Sequence, residues 1–546
     1  MTASEEEDRG SFDYLVIGAG PAGLQLGYFL AESGCNYAIL EARERAGSFF
    51  ARYPRHRTLL SINKVYTGRD DPEFNLRHDW NSLLCDRSDF GLSSYTKEYF
   101  PPADALVEYL GQFAREFDLQ IHYGVTVAQI SKTTAEHAFE VRDRAGGRWR
   151  GKRLIVATGL YRPFIPDIPG IELAVGYEDM SLDRSDYRNK SVLILGKGNS
   201  ALETADHLIA DAAVIHVLSP SPVTLAWDTR HVGHVRAVNN NFFDTYHLKS
   251  QNAAIDGNVH RISRDDDGRL VVEFASIHVE NETERIRYDH VLRCTGFRFD
   301  DSMFDESCRP QLRACGRLPA MTPGFESLNV PNLYFAGATM QSLDYKKGQS
   351  AFIHGFRYNV RSLFHMLRHR DEGVDLPGAD LDAEPAPLAR AILDRMSRVS
   401  SLWQQVGFLC DVLIDAGGGV VRCIHDLPYD YARAAAPHWR PDGRFYLVLF
   451  RFGECNTSLF DHPRSADVFE GATSTASHPV IERWEGAAKV DEFHVLEDFA
   501  ADWTGEEYVD SLRRYFEAVR RGEALAKEQG PGVREIVRES DMRLAR

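Results

Sequence analysis

The sequence predicts the α/β fold class: two wound βαβ domains, one inserted in the other, with an α+β extension at the C-terminal end. Three observations predict it. A short apolar, β-prone run that ends in a glycine-rich turn and opens a helix occurs twice, at Gly18 and at Gly196, 178 residues apart. Two further apolar runs, beginning at Leu154 and Val291, each stop at a Thr-Gly pair. After residue 371 the composition changes and no such turn recurs.

The elements follow in order. Phe12 to Ile17 is a strand ending at Gly18-Ala19-Gly20-Pro21-Ala22-Gly23. Leu24, Tyr28, Leu30 and Ala31 then give one apolar helix face, and Tyr37 to Leu40 reads as a second strand closing on Glu41. The second copy runs from Val192 through Gly196-Lys197-Gly198-Asn199-Ser200-Ala201, a helix with Leu202, Ala205 and Leu208 on its apolar side, and the strand Val214 to Leu218. Leu333 to Ala336 is a buried strand before Gly337, and a long helix is expected from about Ser350 to His369. The acidic, Pro- and Gly-rich stretch 371–387 reads as a linker. Beyond it, Leu388 to Leu413 is helical in pattern, 445–450 and 493–496 are strand-like, and Tyr508 to Ala526 is a charged amphipathic helix. The resulting boundaries are 11–165 with 297–370 for the first domain, 166–296 for the inserted one and 388–526 for the extension.

The glycines carry the chemistry. A dinucleotide's pyrophosphate is held most simply by the unsatisfied amides at a helix N-terminus. Gly18 makes the tight turn, Gly20 lets the backbone approach phosphate, and Gly23 lets helix and strand pack closely. Glu41, 18 positions after Gly23, is placed to accept from a ribose diol. The second turn has Gly196 and Gly198 with Ala201 at the third position, and no acidic residue ends its second strand, since Ser219-Pro220-Ser221 follows Leu218. Nothing there repels a 2′-phosphate, which favours NADPH over NADH; Arg230, His231 and Lys249 are candidates for the missing positive charge. These are two Rossmann-like domains, the first for FAD and the inserted one for NAD(P). The cofactor-binding candidates are Gly18, Gly20, Pro21, Ala22, Gly23, Glu41, Ser48, Phe49, Ser61, Asn63, Val127, Thr158, Gly159, Gly196, Gly198, Asn199, Ser200, Ser219, Thr295, Gly296 and Gly337.

Sixty-three basic and 80 acidic residues leave a net charge of −17, a field that disfavours nucleic acid and anionic membrane. No run approaches the roughly 20 apolar residues that span a bilayer, and the acidic N-terminal segment is unlike a secretory signal. Eight cysteines without a CxxC pattern read as reduced thiols, so a cytoplasmic enzyme is expected, with a homo-oligomer as one option and no metal.

Gly47 to Arg57, Phe74 to Leu83, Asp244 to Ser250 and Gly355 to Asn359 carry a resemblance. Through them the chain resembles the class B flavin monooxygenases and, more closely, the FAD-dependent oxidoreductase-domain family that includes the endoplasmic reticulum flavoprotein associated with degradation. Gly176 to Ser181 lies where class B enzymes carry Gly-x-x-x-His-Ser, with Met180 in place of the histidine. The resemblance implies an FAD enzyme reduced by NADPH or NADH that forms a C4a-(hydro)peroxyflavin with dioxygen and oxygenates a small amine or amino acid at nitrogen, with sulfur as second choice. It also implies that Asn63, shortly after the FAD loop, is the catalytic amide beside that peroxide.

Two other readings stay open. A disulfide-type reductase needs a close Cys pair, and the nearest one, Cys308 and Cys315, has six residues between. A flavin-stabilised binding scaffold would use the extension as its partner surface. Arg55, His56 and Arg57 near the flavin loop, the Lys346-Lys347 pair, and His231 with His234 are candidates for lining the substrate or nicotinamide cleft.

Overall fold

The computed structural model describes residues 7–133, 139–226, 234–247, 251–280, 282–440, 442–453 and 464–522. Strand Glu7–Ile17 is the axis of the first sheet, flanked in parallel by Tyr37–Glu41 and Gly147–Val156. Ile121–Tyr123 continues it on one side. On the other, Gly147–Val156 serves two neighbours. Its first half pairs antiparallel with Phe139–Asp143 and its second half pairs parallel with Leu333–Phe335. The later chain thereby returns to the first domain after the insertion. Leu15, Val16, Leu154 and Ile155 are fully buried, as expected for parallel strands covered on both faces.

In the inserted domain Ser191–Leu195 lies between Val214–Ser219 and His290–Arg293, all parallel. Ala253–Arg264 joins the edge in parallel and then turns antiparallel into Leu270–Ser276 and Thr283–Tyr288. The α/β class with two dinucleotide-type βαβ units is as the sequence expects.

The extension is a six-stranded antiparallel sheet whose helices Pro385–Arg398 and Glu506–Arg520 pack together over a core that includes Leu388, Ile392, Trp503 and Tyr515. The stretch 371–387, expected as linker, is ordered structure. Asp371 ends helix Ile353–Glu372, Gly378–Asp382 pairs as an edge strand with Val420–Pro428, and Pro385 opens the next helix. Pro at the first helical turn costs nothing because its missing N–H would have no partner there, so the composition that suggests a linker also suits these elements. The helix expected over Leu388 to Leu413 stops at Arg398, a short turn follows over Ser400–Gln404, and Leu409–Gly417 is a strand. A continuous apolar run has no period that separates buried strand from buried helix.

The extension and the first domain share a core, since Val412, Leu427 and Phe445 belong to the same apolar cluster as Leu15 and Tyr109. A buried arginine stitches them together. Arg77 donates from Nε to the Val399 carbonyl at 3.0 Å and from Nη2 to the Met396 carbonyl at 2.6 Å, with its guanidinium over Trp403. Those carbonyls lie at the end of helix Pro385–Arg398, where a cation complements the unsatisfied groups and the helix dipole. No helix among the described residues is long and apolar enough to cross a membrane.

Candidate functional site

A cavity of about 340 Å³ runs between the two glycine turns. One end is lined by Gly20, Pro21 and Ala22, the other by Asn199, Ser200 and Glu203. Its walls are largely apolar, with Phe49, Phe50, Tyr53, Leu59, Phe297, Phe352 and Phe356.

Each turn has at least one packed glycine and one open glycine. At Gly18 φ is +104°, and a Cβ would meet the Ala157 carbonyl oxygen at 2.9 Å. A Cβ on Gly23 would stand 1.9 Å from the Gly18 oxygen, so the strand–helix contact exists only without one. Gly20 has no heavy atom within 4 Å of such a Cβ. The second turn repeats this: Gly196, at φ +123°, would place a Cβ 2.3 Å from the Cys294 oxygen, and Gly198 is open. Gly20 and Gly198 are the N-caps of helices Pro21–Glu32 and Asn199–Leu208, and neither gives a side-chain cap. Both helix ends therefore offer free amides to an anion. Beside them Thr158 Oγ1 is buried with no partner, and Gly159 is left-handed at φ +66°. An unspent hydroxyl and two uncapped helix ends fit two dinucleotides. Gly20, Pro21, Ala22, Thr158 and Gly159 would hold FAD, and Gly198, Asn199 and Ser200 the nicotinamide cofactor.

Ten sequence candidates line the cavity: Gly20, Pro21, Ala22, Phe49, Ser61, Thr158, Gly159, Asn199, Ser200 and Gly337. The others stand behind it or away from it. Glu41 accepts from the Ala19 amide at 2.8 Å, the Arg43 amide at 3.0 Å and the Ser48 hydroxyl at 3.0 Å, which braces the first turn. Ser219 donates to the Ser221 carbonyl, Thr295 to that of Phe164, and Gly296, left-handed, accepts the Phe164 amide. Val127 pairs with Asp143 in a hairpin.

Asn63 is a correction. Its carboxamide donates to the Thr96 carbonyl at 3.1 Å and the Glu98 carbonyl at 3.4 Å, and it does not line the cavity. Asn81 does, with its Oδ1 accepting the Ser61 hydroxyl at 2.5 Å and its Nδ2 donating to the Ile62 carbonyl at 3.1 Å. Sequence reasoning missed it, although it lies inside the Phe74 to Leu83 run. Trp80, Tyr177 and Glu203 were missed as well; Trp80 stacks on His354 with ring centroids 4.3 Å apart.

The basic candidates are likewise engaged elsewhere. Arg55 donates to the Glu178 and Met180 carbonyls, Arg57 to the Phe50 carbonyl and Asp104, and the His56 ring meets the Thr204 hydroxyl. These contacts join the two nucleotide domains or hold the flavin loop, and none of the three residues lines the cavity. Lys346 is exposed over the Tyr345 ring, and Lys347 borders a separate hollow against the extension. Arg230, His231 and Lys249 lie outside the described residues. The His234 carbonyl accepts from the Asn199 side-chain Nδ2 at 3.0 Å. An acidic residue does lie beside the end of the second strand: Asp256 of the neighbouring strand pairs with Ser219 in register, and its carboxylate is held by Lys197 and His278. Among the described residues no cysteine lines the cavity, Cys308 is buried and Cys315 is exposed. Asp411, Cys423 and His425 converge in the extension, but Arg395 already occupies the Asp411 carboxylate.

Residues 15–337 match the family model described as pyridine nucleotide-disulphide oxidoreductase. FAD-dependent oxidoreductase domain-containing protein 2 of Danio rerio is 34% identical over 573 residues, covering 93% of this chain and 83% of that protein. Among solved structures, the Kutzneria ornithine N-hydroxylase with reduced FAD, NADP+ and L-ornithine has TM-score 0.50 at 17% identity, covering 66% of this chain and all of that one. Bacillithiol disulfide reductase from Bacillus cereus has TM-score 0.50 at 21% identity with the same coverage. The two share this fold and differ in chemistry, so fold alone does not choose between them. With two anion-ready helix ends meeting at one cavity, and a relative aligned over nearly the whole chain, this protein belongs to the pyridine nucleotide-disulphide oxidoreductase family beside FAD-dependent oxidoreductase domain-containing protein 2, as an FAD-dependent NAD(P)H oxidoreductase.

Proposed function

We propose that the protein is a monooxygenase that consumes NADPH and dioxygen and oxygenates a small molecule at a soft nucleophile, an amine nitrogen before a sulfur. The observation that carries this reading is the composition of the cavity. It is walled by aromatic and aliphatic side chains, it joins the two nucleotide turns, and none of its described lining residues is a cysteine. A disulfide-type reductase would need a thiol pair there.

FAD reduced by NADPH supplies the electrons and the activated oxygen. The protein's part is to bind, orient and exclude water. The amides behind Gly20 and Gly198 take the pyrophosphates, and Thr158 has a hydroxyl to give. Phe49, Phe297, Phe352 and Phe356 keep bulk water from the space between. Ser61 and Asn81 fix each other, so the polar edge facing the cavity is rigid.

The test is a screen of amines, amino acids and thioethers for substrate-stimulated NADPH use, with peroxide release and product mass followed together. A product heavier by one oxygen atom supports the reading. Reduction of disulfides with no oxygenated product from any class would refute it in favour of the reductase.

A further inference from the structure

Among the described residues, Glu203 is the one carboxylate that lines the cavity. It lies on Asn199–Leu208, the helix that begins at the second glycine turn. Its hydrogen-bond partner among the described residues is Tyr177, whose hydroxyl donates to Oε1 and itself accepts the Arg55 amide at 2.8 Å. Tyr53 stacks on Tyr177 with centroids 5.7 Å apart.

The charged and titratable groups around the pair are committed elsewhere. The Arg55 guanidinium donates to the Glu178 and Met180 carbonyls, and Arg293 is paired with Glu178 at 2.7 Å. His56 meets the Thr204 hydroxyl, and His207, one turn along the same helix, meets the Leu182 carbonyl. The Cys294 thiol is pushed up to about 12 by burial. Among the described residues Glu203 thus has a hydrogen bond but no counter-ion. Burial raises it to about 7 against the Tyr177 hydrogen bond, which lowers it. A carboxylate in such a place is protonated or waits for a cation.

We propose that Glu203 is the anchor and proton acceptor for an amine substrate, with Tyr177 fixing its carboxylate. The proposal rests on the monooxygenase reading and names its substrate class. An alkylammonium ion brings the missing positive charge. One N–H bond then breaks and one O–H bond forms on Glu203, so that R–NH3+ and –COO− become R–NH2 and –COOH. Charge balances, no electrons leave the pair of reactants, and the nitrogen lone pair is freed to act as nucleophile. An ordinary glutamate at about 4.3 lies some six units below an alkylamine near 10.4, and a raised one narrows that gap. A thioether has neither the charge nor the proton and makes no use of Glu203.

The FAD-loaded wild type, Glu203→Gln and Tyr177→Phe are titrated with butylamine and with diethyl sulfide, and binding is read from the perturbation of the flavin absorbance. Glu203→Gln is expected to weaken butylamine binding about tenfold or more, equivalent to about 1.4 kcal/mol, and to leave diethyl sulfide within about twofold. Wild-type butylamine binding should fall as pH drops through about 7, where the carboxylate is lost. That limb should vanish in Glu203→Gln and move to higher pH in Tyr177→Phe. Equal losses for both probes would overturn the proposal. So would slower flavin reduction by NADPH with amine affinity intact, which would make Glu203 a nicotinamide contact. Failure of wild type to oxygenate any amine or sulfide refutes the monooxygenase reading instead, whatever the binding titrations show.

Discussion

Gly20 and Gly23 should fail in opposite ways when each receives a methyl group. In Gly23→Ala the new Cβ stands 1.9 Å from the Gly18 carbonyl oxygen, about 1.6 Å short of an ordinary non-bonded separation of about 3.5 Å. The obstacle is backbone and cannot rotate away. Strand and helix must part, at the upper end of overpacking costs, about 3 kcal/mol. Gly20→Ala meets no protein atom within 4 Å, and at φ −75° and ψ −179° its backbone is extended and open to any residue. Alanine is a poorer N-cap than glycine, but it also restricts the unfolded chain, and the two effects of about 0.5–1 kcal/mol nearly cancel. Its methyl group fills the space the pyrophosphate needs, so FAD affinity should fall about tenfold or more, at least about 1.4 kcal/mol. Thermal unfolding of the two apoproteins, beside FAD titration by quenching of flavin fluorescence, separates the outcomes. Gly20→Ala should melt with wild-type apoprotein and bind FAD weakly, while Gly23→Ala should melt well below it. An apo Gly20→Ala as unstable as apo Gly23→Ala, or one that binds FAD normally, would refute the division of labour between the two glycines.

Gly198→Ala, open in the same way, should keep its FAD and slow flavin reduction by NADPH in stopped flow; loss of FAD would show the two turns are not separate sites. Asn63→Ala removes two hydrogen bonds to the Thr96 and Glu98 carbonyls, so it should cost about 1–3 kcal/mol of stability. It should leave the ratio of product to peroxide unchanged, and a rise in peroxide would restore Asn63 to the chemistry. In the extension, burial pushes Asp426 up, but the Arg395 and Arg361 guanidinium charges outweigh it and hold the carboxyl at about 2. Its folded value lies below the unfolded one of about 3.9. The stability it contributes is therefore present above pH 4 and lost as pH falls toward about 2. Arg395→Met strands Asp411 and Asp426 without that cation. It should cost about 3–5 kcal/mol at neutral pH and recover part of this as acid neutralises Asp426, so melting temperature against pH should change slope. An unchanged slope would refute the role of Arg395.

The frame of the fold was legible because glycine at a strand–helix turn is dictated locally. Gly18 and Gly196 are left-handed, and a Cβ on Gly23 collides with backbone. The extension was less legible. Gly378–Asp382 is held by Val420–Pro428, some forty residues further on. Leu409 to Ile414 is a strand because it pairs with both Val420–Pro428 and Arg444–Phe452. Local propensity carries neither fact. Arg77 looks like a surface cation in the sequence, yet it is buried at the end of a helix more than three hundred residues away.

Asn63 and Asn81 show why the candidate site was legible only in part. A motif places an asparagine after the flavin loop, but its side chain goes where the backbone aims it. At Asn63 the chain runs antiparallel beside Asp79, and the Asn63 amide hydrogen binds the Tyr99 carbonyl. That leaves its carboxamide next to the Thr96 and Glu98 carbonyls, to which it donates. Asn81 stands across the same crossing. Its carboxamide accepts from Ser61 and donates to the Ser61 and Ile62 carbonyls, so one asparagine closes the outer loop and the other holds the cavity edge. Both are satisfied by hydrogen bonds set by the crossing, and exchanging their roles would leave buried carbonyls without donors on one side. Residue type and spacing point to an asparagine near this loop; the crossing decides which of the two lines the cavity.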